Sequence, residues 1–474
     1  MKKQQRTLLA FGACAAAAAG ALTLARSDAR ALDGGRIAVE WSVTSDTLAP
    51  ETLLALLRAS DPTVCEMAVS MLGNSWGSGR AAWLHDRAAR LGNDFSRHAV
   101  PVRDGDVRAL AAALGDSNAC ARRAAARLLS NSRLPAAIEA LRGGLRSADA
   151  TVREAAALGL GAADDAVSLP ALVDAVGGDA EPHVRRMSAW ALGEIEDRRA
   201  VEPLAKALGD RDAGVREAAA GGLGEIEDSR AVQPLVGVLD DGDAHVRAAA
   251  AGALGEIEDR AATSPLLPLL RDPVVEVKRA AAQALGEIED PAAVDALVAA
   301  LADDDFGVRV ASAMALGEIE DRRAVPGLVR ALRDRAVEMR RVAAHALAEI
   351  EDPAAVEPLV GALKDDDTEV RRMAAHALAE IGDARASGAL AAALRDPDAE
   401  VRQMAAHGLG ELNLGEAPAA LLEAARDGDR RVRVLAVHAL GEIGDARAAP
   451  ALLGLLDDEL LRGPALEALG RVGD

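Results

Sequence analysis

One hexapeptide, Leu-Gly-Glu-Ile-Glu-Asp, recurs along the sequence at a fixed interval. It begins at five leucines spaced 31 residues apart: Leu192, Leu223, Leu254, Leu285 and Leu316. Looser versions of the same frame begin at Leu129, Leu160, Leu347, Leu378, Leu409 and Leu440. A constant period between about 20 and 50 residues is typical of stacked supersecondary units, so the period predicts a repeat architecture.

Each repeat has the apolar pattern of two helices. In residues 198–228 the apolar positions fall into two runs with helical spacing: Val201, Leu204 and Leu208, then Val215, Ala219, Leu223 and Ile226. The turn-forming run from Gly209 to Gly214 separates them. No stretch of the repeats alternates β-branched or aromatic residues as strands do. We therefore predict an all-α fold, an α-α superhelix or α-solenoid of about 12 repeats of 31 residues.

A paired column of charges accompanies the repeat. An Asp stands six residues before the basic residue that opens the second helix in every repeat except one, where the pair is Ser147 and Arg153. The spacing predicts a structural ladder in which each Asp caps a helix and reaches an Arg of its own or the neighbouring repeat. Solvated surface pairs, worth ~0–1 kcal/mol each, are the alternative. The ladder includes Asp210, Arg216, Asp241, Arg247, Asp303, Arg309, Asp365 and Arg371.

The full motif resembles that of a known family. The pattern Asp-x5-Arg-x2-Ala-Ala-x-Ala-Leu-Gly-Glu-Ile, present from Asp272 to Ile288 with Lys278 at the basic position, resembles the short HEAT repeat of the phycobilisome (PBS) lyase type. The resemblance covers about residues 104–474. It implies an armadillo/HEAT-like solenoid whose first helices lie on the convex side and whose second helices line the concave side.

The N-terminal segment, residues 1–31, has the composition of a targeting sequence. Lys2, Lys3 and Arg6 precede an uncharged run of 19 residues from Thr7 to Ala25, and Ala29-Arg30-Ala31 has the small-x-small form of a cleavage site. The segment is a signal peptide or, because the run is just long enough to cross a bilayer, a membrane anchor. Either interpretation predicts a bacterial protein exported to the periplasm or held on the outer face of the cytoplasmic membrane.

Residues 32–103 form an irregular N-terminal region. A degenerate helix pair is predicted from Pro50 to Gly73, and the aromatic residues nearby are predicted to cap the first repeat or, alternatively, to form a partner-binding insertion. The aromatic residues concerned are Trp41, Trp76, Trp83 and Phe95. His85, Asp86 and His98 fit no recognised metal-ligand spacing. The solenoid then occupies residues 104–474 and ends in a unit in which Pro464 replaces the usual Arg, which predicts a C-terminal cap.

Two cysteines remain after the leader, Cys65 and Cys120. In an oxidising compartment they can form a disulfide, but both also stand at helical positions where Cys is commonly a small buried hydrophobic residue. The sequence leaves both interpretations open.

The net charge of −21 argues against nucleic-acid binding, which requires a basic surface. The sequence contains no Ser-His-Asp order and no Gly-rich phosphate loop after a strand, so we predict no catalytic residues, no cofactor and no metal. A non-enzymatic protein is therefore expected.

The outward side of the second helices is the candidate contact surface. Each of four histidines in one file has a Glu four residues later, which places both on one helix face and permits three interpretations: partner recognition, packing without function, or a metal site. HEAT-repeat di-iron hydroxylases carry adjacent His-Glu ligands near the start of this helix, whereas the matching place here holds, for example, Arg341-Val342. The candidate partner-binding strip consists of Arg186, Trp190, Arg279, Gln283, Met314, Arg341, His345, Arg372, His376, His407 and His438.

We therefore predict an exported, non-enzymatic scaffold that binds a protein or peptide partner along the concave face of the solenoid. Because unperturbed imidazoles gain charge between about pH 7 and 5.5, binding is expected to change in that interval. An enzyme or enzyme accessory of the HEAT-like lyase or metal-hydroxylase kind is the alternative.

Overall fold

The computed structural model describes residues 50–58 and 102–472, and within them it contains helices and turns but no strand. These residues divide into two compact units, unit 1 and unit 2, with the boundary between Val238 and Leu239. From residue 104 onward helices alternate between two kinds: even-numbered helices below are the first of a repeat (A helices), and odd-numbered helices are the second (B helices). Between residues 104 and 472 the structure has twelve helices of each kind, as the period predicts.

Unit 1 begins with a helix that lies ahead of the regular repeats. That helix, α1, buries Leu53, Leu54 and Leu57 and packs against α2 and α3. The helices of unit 1 are α1 (Pro50–Arg58), α2 (Asp104–Ala113), α3 (Ala119–Ser132), α4 (Pro135–Gly144), α5 (Ala150–Ala162), α6 (Leu169–Gly178), α7 (Pro182–Glu194), α8 (Val201–Ala207), α9 (Ala213–Glu225) and α10 (Val232–Val236).

Unit 2 continues the same alternation, and each of its B helices packs against the next. The helices of unit 2 are α11 (Ala244–Glu256), α12 (Thr263–Leu266), α13 (Val275–Glu287), α14 (Val294–Ala300), α15 (Phe306–Glu318), α16 (Val325–Ala331), α17 (Val337–Ile350), α18 (Val356–Ala362), α19 (Thr368–Ile381), α20 (Ser387–Ala393), α21 (Ala399–Glu411), α22 (Ala419–Ala424), α23 (Arg430–Ile443), α24 (Ala449–Leu453) and α25 (Arg462–Val472).

Most A helices are short and are entered through one turn of 3-10 helix. Asp290, for example, accepts a hydrogen bond from the N–H of Ala292 at 3.0 Å and starts the 3-10 turn Pro291–Ala293, which runs into α14. The other 3-10 segments are Ala166–Ser168, Arg198–Ala200, Ser229–Ala231, Arg260–Ala262, Leu267–Arg271, Arg322–Ala324, Pro353–Ala355, Ala384–Ala386 and Ala446–Ala448. The apolar spacing predicts a helix here but does not reveal this change of pitch.

B helices pack through their smallest residues. Gly193 in α7 lies so close to α9 that a Cβ placed on it would stand 2.5 Å from the Cα of Gly222. The corresponding Gly286 in α13 faces the Cα of Ala315 in α15, at 2.8 Å from an added Cβ. Fully buried leucines such as Leu285 fill the layer between A and B helices. The core is thus built from many similar, thin interfaces.

Several sequence predictions lie outside the described residues: the targeting segment, the second half of the degenerate helix pair, the aromatic cap and His85, Asp86 and His98. In the part of the chain that the model covers, no helix is long and apolar enough to span a bilayer. Cys120 is buried and disulfide-bonded, so the interpretation as a free buried thiol is wrong for this residue. Cys65 lies outside the described residues.

Candidate functional site

Within each unit, the charged ladder joins successive repeats. In unit 1, Arg185 donates hydrogen bonds from Nε and Nη2 to the two carboxylate oxygens of Asp210, at 2.7 and 2.8 Å. In unit 2, Arg247 and Asp272 form the same bidentate pair at 2.8 and 2.9 Å. The same inter-repeat pairing occurs at Arg153–Asp179, Lys278–Asp303, Arg340–Asp365, Arg371–Asp396 and Arg402–Asp427.

Within its own repeat the basic residue contacts backbone instead of carboxylate. Nη1 of Arg216, Arg309 and Arg371 donates to the carbonyl oxygens of Asp210, Asp303 and Asp365 at 2.9, 2.9 and 3.0 Å. The Asp side chain accepts from the N–H two residues later, as Asp241 does from Asp243 at 2.8 Å. Arg371, which also pairs with Asp396, thus contacts two successive repeats.

The predicted capping role of the ladder aspartates is wrong. In most repeats the cap is the residue two positions later: Asp212 accepts from the N–H of Val215, and Asp305 from that of Val308. The ladder Asp only closes the turn that brings this capping residue into place. Spacing alone does not distinguish these two acids, because both stand within the same short turn.

The pKa values of the ladder carboxyls reflect these contacts. Hydrogen bonds from Arg153 and Arg185 outweigh desolvation and hold the pKa of Asp179 and Asp210 below the usual range. Both aspartates are therefore firmly ionised at neutral pH, and their pairs are mostly withdrawn from solvent.

Three of the four guanidinium groups of the candidate strip have acidic partners within the chain. Arg341 in α17 donates two hydrogen bonds to Asp367, the residue that caps α19, at 3.0 and 2.8 Å. Arg372 in α19 pairs with Glu369 and approaches Glu400. Arg279 in α13 lies 4.0 Å from Asp305. These residues form a second inter-repeat ladder beside the first, which the sequence interpretation as partner contacts did not foresee.

The middle file of the strip is accessible in both units. In unit 1, Trp190 is half-buried, with its ring lying against Gly161 of the preceding B helix, and Arg186, one turn earlier on α7, is exposed. In unit 2, Gln283, Met314, His345 and His438 are exposed, and His376 and His407 are half-buried. The structure thus keeps this file at the surface of the B helices.

Each of the four histidines lies beside the glutamate of its own helix. The imidazole nitrogens are 3.8, 3.4, 3.7 and 3.5 Å from the carboxylates in the pairs His345–Glu349, His376–Glu380, His407–Glu411 and His438–Glu442. Arg471 of α25 also contacts Glu442. Across the described residues, no three His, Cys, Asp or Glu side chains converge in a way that would hold a metal ion.

A row of glutamates ends the B helices next to this file. Burial raises the pKa of Glu287, with further increases from Glu318 and Glu258, and burial followed by Glu289 raises that of Glu318. In unit 1, burial and then Glu225 raise the pKa of Glu194. The Glu287 and Glu318 side chains remain more than a third exposed, so these shifts are damped by solvent. The row makes this edge of the B helices strongly negative.

Helix pairs repeated at this period, with B helices packed through Gly and Ala and joined by an Asp–Arg ladder, define the class of α-solenoids. A family model of HEAT repeats matches residues 107–181, 175–255, 202–277, 238–317, 263–348, 325–397 and 387–470. The chain belongs to the HEAT-repeat family. No curated protein matches the sequence.

Solved structures show the same architecture at low sequence identity. Importin beta is 16% identical with a TM-score of 0.56, over 85% of this chain and 67% of that one. Kap95p, solved with RanGDP, is 16% identical with a TM-score of 0.50 over 89% of this chain; the match spans 64% of the Kap95p chain. The CpcE–CpcF phycocyanin lyase of Nostoc sp. PCC7120 is 26% identical over 50% of this chain and 91% of that one, with a TM-score of 0.33. The first two likenesses show the fold.

Proposed function

We propose that the chain is a non-enzymatic scaffold that binds a protein or peptide partner through the exposed face of its B helices. One observation carries this proposal: the outward middle position of the B helices varies while the packing positions stay constant. Trp190, Gly221, Gln283, Met314 and His345 occupy that outward position in different repeats. Variation at one surface file of near-identical repeats is expected where a partner, and not the stacking of helices, selects the side chain.

The use of related architectures supports a protein partner. Kap95p has been solved in complexes with RanGDP and with Nup1. A solenoid exposes a long face to which an extended partner can bind along several repeats. The net charge of −21 favours a partner with basic groups over a polyanion.

Capture from an envelope extract tests the strip. The immobilised protein is compared with a variant in which His345, His376 and His407 are replaced by Ala, and we expect the captured partner to be lost or strongly reduced. A control variant changes Arg330, Glu357 and Lys364 to Ala, which are exposed away from the B helices. Equal capture by the histidine variant and the wild-type protein would remove the strip from consideration.

We also propose that the protein acts without a metal or chromophore. Metal analysis and an absorption spectrum of the purified protein are expected to be blank. A stoichiometric metal or a visible absorption band would favour the enzymatic alternative.

The location of the protein is a separate proposal. Lys2, Lys3 and Arg6 followed by the uncharged run to Ala25 support export to the periplasm or to the outer face of the cytoplasmic membrane. A fusion of alkaline phosphatase to the C-terminus is expected to be active in intact cells, and an inactive fusion would argue for a cytoplasmic protein.

A further inference from the structure

An exposed apolar stripe runs along one B helix of unit 2. Phe306, Val310 and Met314 follow one another at spacings of four on α15 (Phe306–Glu318), with Phe306 39% and Met314 53% exposed. Val337, which begins the adjacent helix α17, is 36% exposed. Six large apolar side chains are exposed in the part of the chain that the model describes, and three of them lie on these two neighbouring helices. Such clustering marks interaction surfaces.

The stripe interrupts the second ladder. The positions equivalent to Val310 in α13, α17 and α19 hold Arg279, Arg341 and Arg372. Arg341 ties its helix to the capping Asp of the next repeat, and Val310 has no group for such a contact. Helix α15 therefore lacks the ion pair that Arg341 makes in the neighbouring helix α17, and it has the apolar side chain of Val310 at this position instead.

The first ladder is interrupted at the same helix. The guanidinium of Arg309 lies 5.4 Å from the centre of the Phe306 ring, and its buried Nε has no hydrogen-bond partner among the residues that the structure describes. No ion pair joins Arg309 to Asp334 within the described residues, although the equivalent step from Arg340 to Asp365 is bidentate. Places where a regular pattern is broken on several counts at once are commonly functional.

Unneutralised carboxylates border the stripe. Glu318 ends α15 and lies over Gly286 of α13, and Glu287 ends α13 in the same way over Gly255 of α11. Among the described residues no hydrogen bond or ion pair reaches either carboxylate. Both stand at helix C-termini, where the helix dipole disfavours negative charge. An apolar surface thus lies beside negative charge that nothing in this part of the chain offsets.

We propose that this stripe, formed by Phe306, Val310, Met314 and Val337 and bordered by Glu287 and Glu318, is the docking site for an amphipathic segment of a partner protein. The segment carries apolar side chains that cover the stripe and Lys or Arg residues that meet the two glutamates. Charge complementarity and the clustered apolar exposure specify this chemistry. The inference rests on the proposed function and narrows it to two neighbouring helices, α15 and α17, and to one kind of partner sequence.

Selection from a displayed library of random peptides, about 16 residues or roughly four helical turns long, tests the inference on the full chain. We expect enrichment of peptides that combine basic residues with large apolar ones. The Phe306→Ser, Met314→Ser double variant is expected to bind the selected peptides roughly tenfold more weakly or worse, as for buried anchors in interfaces. The Glu287→Gln, Glu318→Gln double variant is expected to weaken binding and to reduce its dependence on salt.

A matched control replaces Leu453 and Leu466, two exposed leucines of the last repeat, by Ser. Its binding is expected to equal that of the wild-type protein. Selected peptides that lack the basic and apolar combination, or that bind the Phe306 and Met314 variant as tightly as the wild type, overturn the docking site and leave the proposed scaffold function standing. Absence of any enriched peptide, together with absence of any captured partner, overturns both.

Discussion

At the scale of single residues, every position of the repeated hexapeptide has a separate physical role. In the copy beginning at Leu285, the Leu is fully buried and Gly286 admits the neighbouring B helix. Glu287 contributes to the acidic edge, and Ile288 is buried. Glu289 adopts a left-handed conformation with φ of 50°. The following Asp290 caps the 3-10 turn that opens the next A helix. The hexapeptide therefore marks the end of one helix and the start of the next.

The glycine contact in α7 predicts opposite effects on stability for two Gly-to-Ala substitutions. Gly193→Ala is expected to destabilise the fold by about 1–3 kcal/mol, because its methyl group would overlap Gly222. Gly221→Ala, where no atom lies within 4 Å of the added Cβ, is expected to stabilise it by about 0.5–1 kcal/mol. Urea unfolding followed by circular dichroism measures both. Equal changes in the free energy of unfolding would show that α7 and α9 can move apart to accommodate the methyl group.

The left-handed residue at the end of each B helix predicts a second pair of effects. Glu289→Gly is expected to raise the free energy of unfolding by up to about 1 kcal/mol, because Gly adopts positive φ without steric cost. Gly382 stands at the equivalent position with φ of 64°, so Gly382→Ala is expected to lower the free energy of unfolding by a similar amount. Glu289→Ala separates charge from conformation, since it removes the carboxylate but keeps the steric cost. A gain in Glu289→Ala equal to that in Glu289→Gly would attribute the effect to charge.

At the scale of elements, the ladder links B helices that are remote in sequence. The Arg185 side chain is almost fully buried, so it depends on Asp210 and on the carbonyl of Asp179 for hydrogen bonds. Burying a guanidinium is tolerated only when such partners are present. The ladder therefore makes correct stacking of one repeat on the next a condition for burying its charge.

Removal of one carboxylate of the ladder tests this dependence. Asp210→Asn is expected to cost about 2 kcal/mol, because it leaves Arg185 without its charged acceptor. Asp304→Asn, at an exposed acid in a comparable turn, is the matched control and should be nearly neutral. Ser147 stands 25 residues after Arg122, where other repeats have the Asp that pairs with the preceding Arg. Ser147→Asp supplies this carboxylate to Arg122 and is expected to raise the free energy of unfolding by about 1 kcal/mol. Chemical unfolding at pH 7 measures all three, and a destabilised Ser147→Asp variant would contradict the proposed geometry.

The ladder also predicts how stability changes with pH. The pKa values of Asp179 and Asp210 are lower in the folded state than in the unfolded state. Their contribution to the free energy of unfolding is therefore complete above the unfolded-state pKa near 4, and it is lost as the pH falls through the lower folded-state pKa values. The urea midpoint should therefore fall steeply below about pH 4. Asp210→Asn should show a shallower fall than the wild-type protein, and parallel curves would exclude Asp210 as a contributor.

The helix pairs, their period and the existence of paired charges could be predicted from the sequence, because these features depend on local spacing. It did not reveal which Arg each Asp meets. The partner of Asp210 by sequence spacing is Arg216, but the carboxylate is bonded to Arg185 of the preceding repeat. Only the three-dimensional register between repeats decides this. The exposure of Phe306 was missed for a related reason, since an aromatic residue at the start of a helix is equally compatible with a buried position.

At the scale of the whole molecule, acidic charge dominates. The excess of 75 acidic over 54 basic residues gives −21, and many of the basic residues are used within the two ladders. The excess of acidic residues therefore disfavours binding to a phosphate backbone. The protein is expected not to retard duplex DNA or single-stranded RNA in an electrophoretic mobility assay at about 150 mM salt. Retardation that disappears with rising salt would show a basic surface that these contacts do not reveal.

The ladder has a direction, because each paired guanidinium bonds to the carboxylate of the repeat that follows it in the chain. A stack shortened from its amino end exposes an aspartate, which takes up a proton if its surroundings disfavour charge. A stack shortened from its carboxyl end leaves an arginine without its carboxylate partner, and no accessible pH neutralises the arginine. Arg309 and Arg433 already show this condition inside the array, since each has a buried Nε without a hydrogen-bond partner among the described residues. We therefore expect loss of repeats to destabilise such an array less at its amino end than at its carboxyl end.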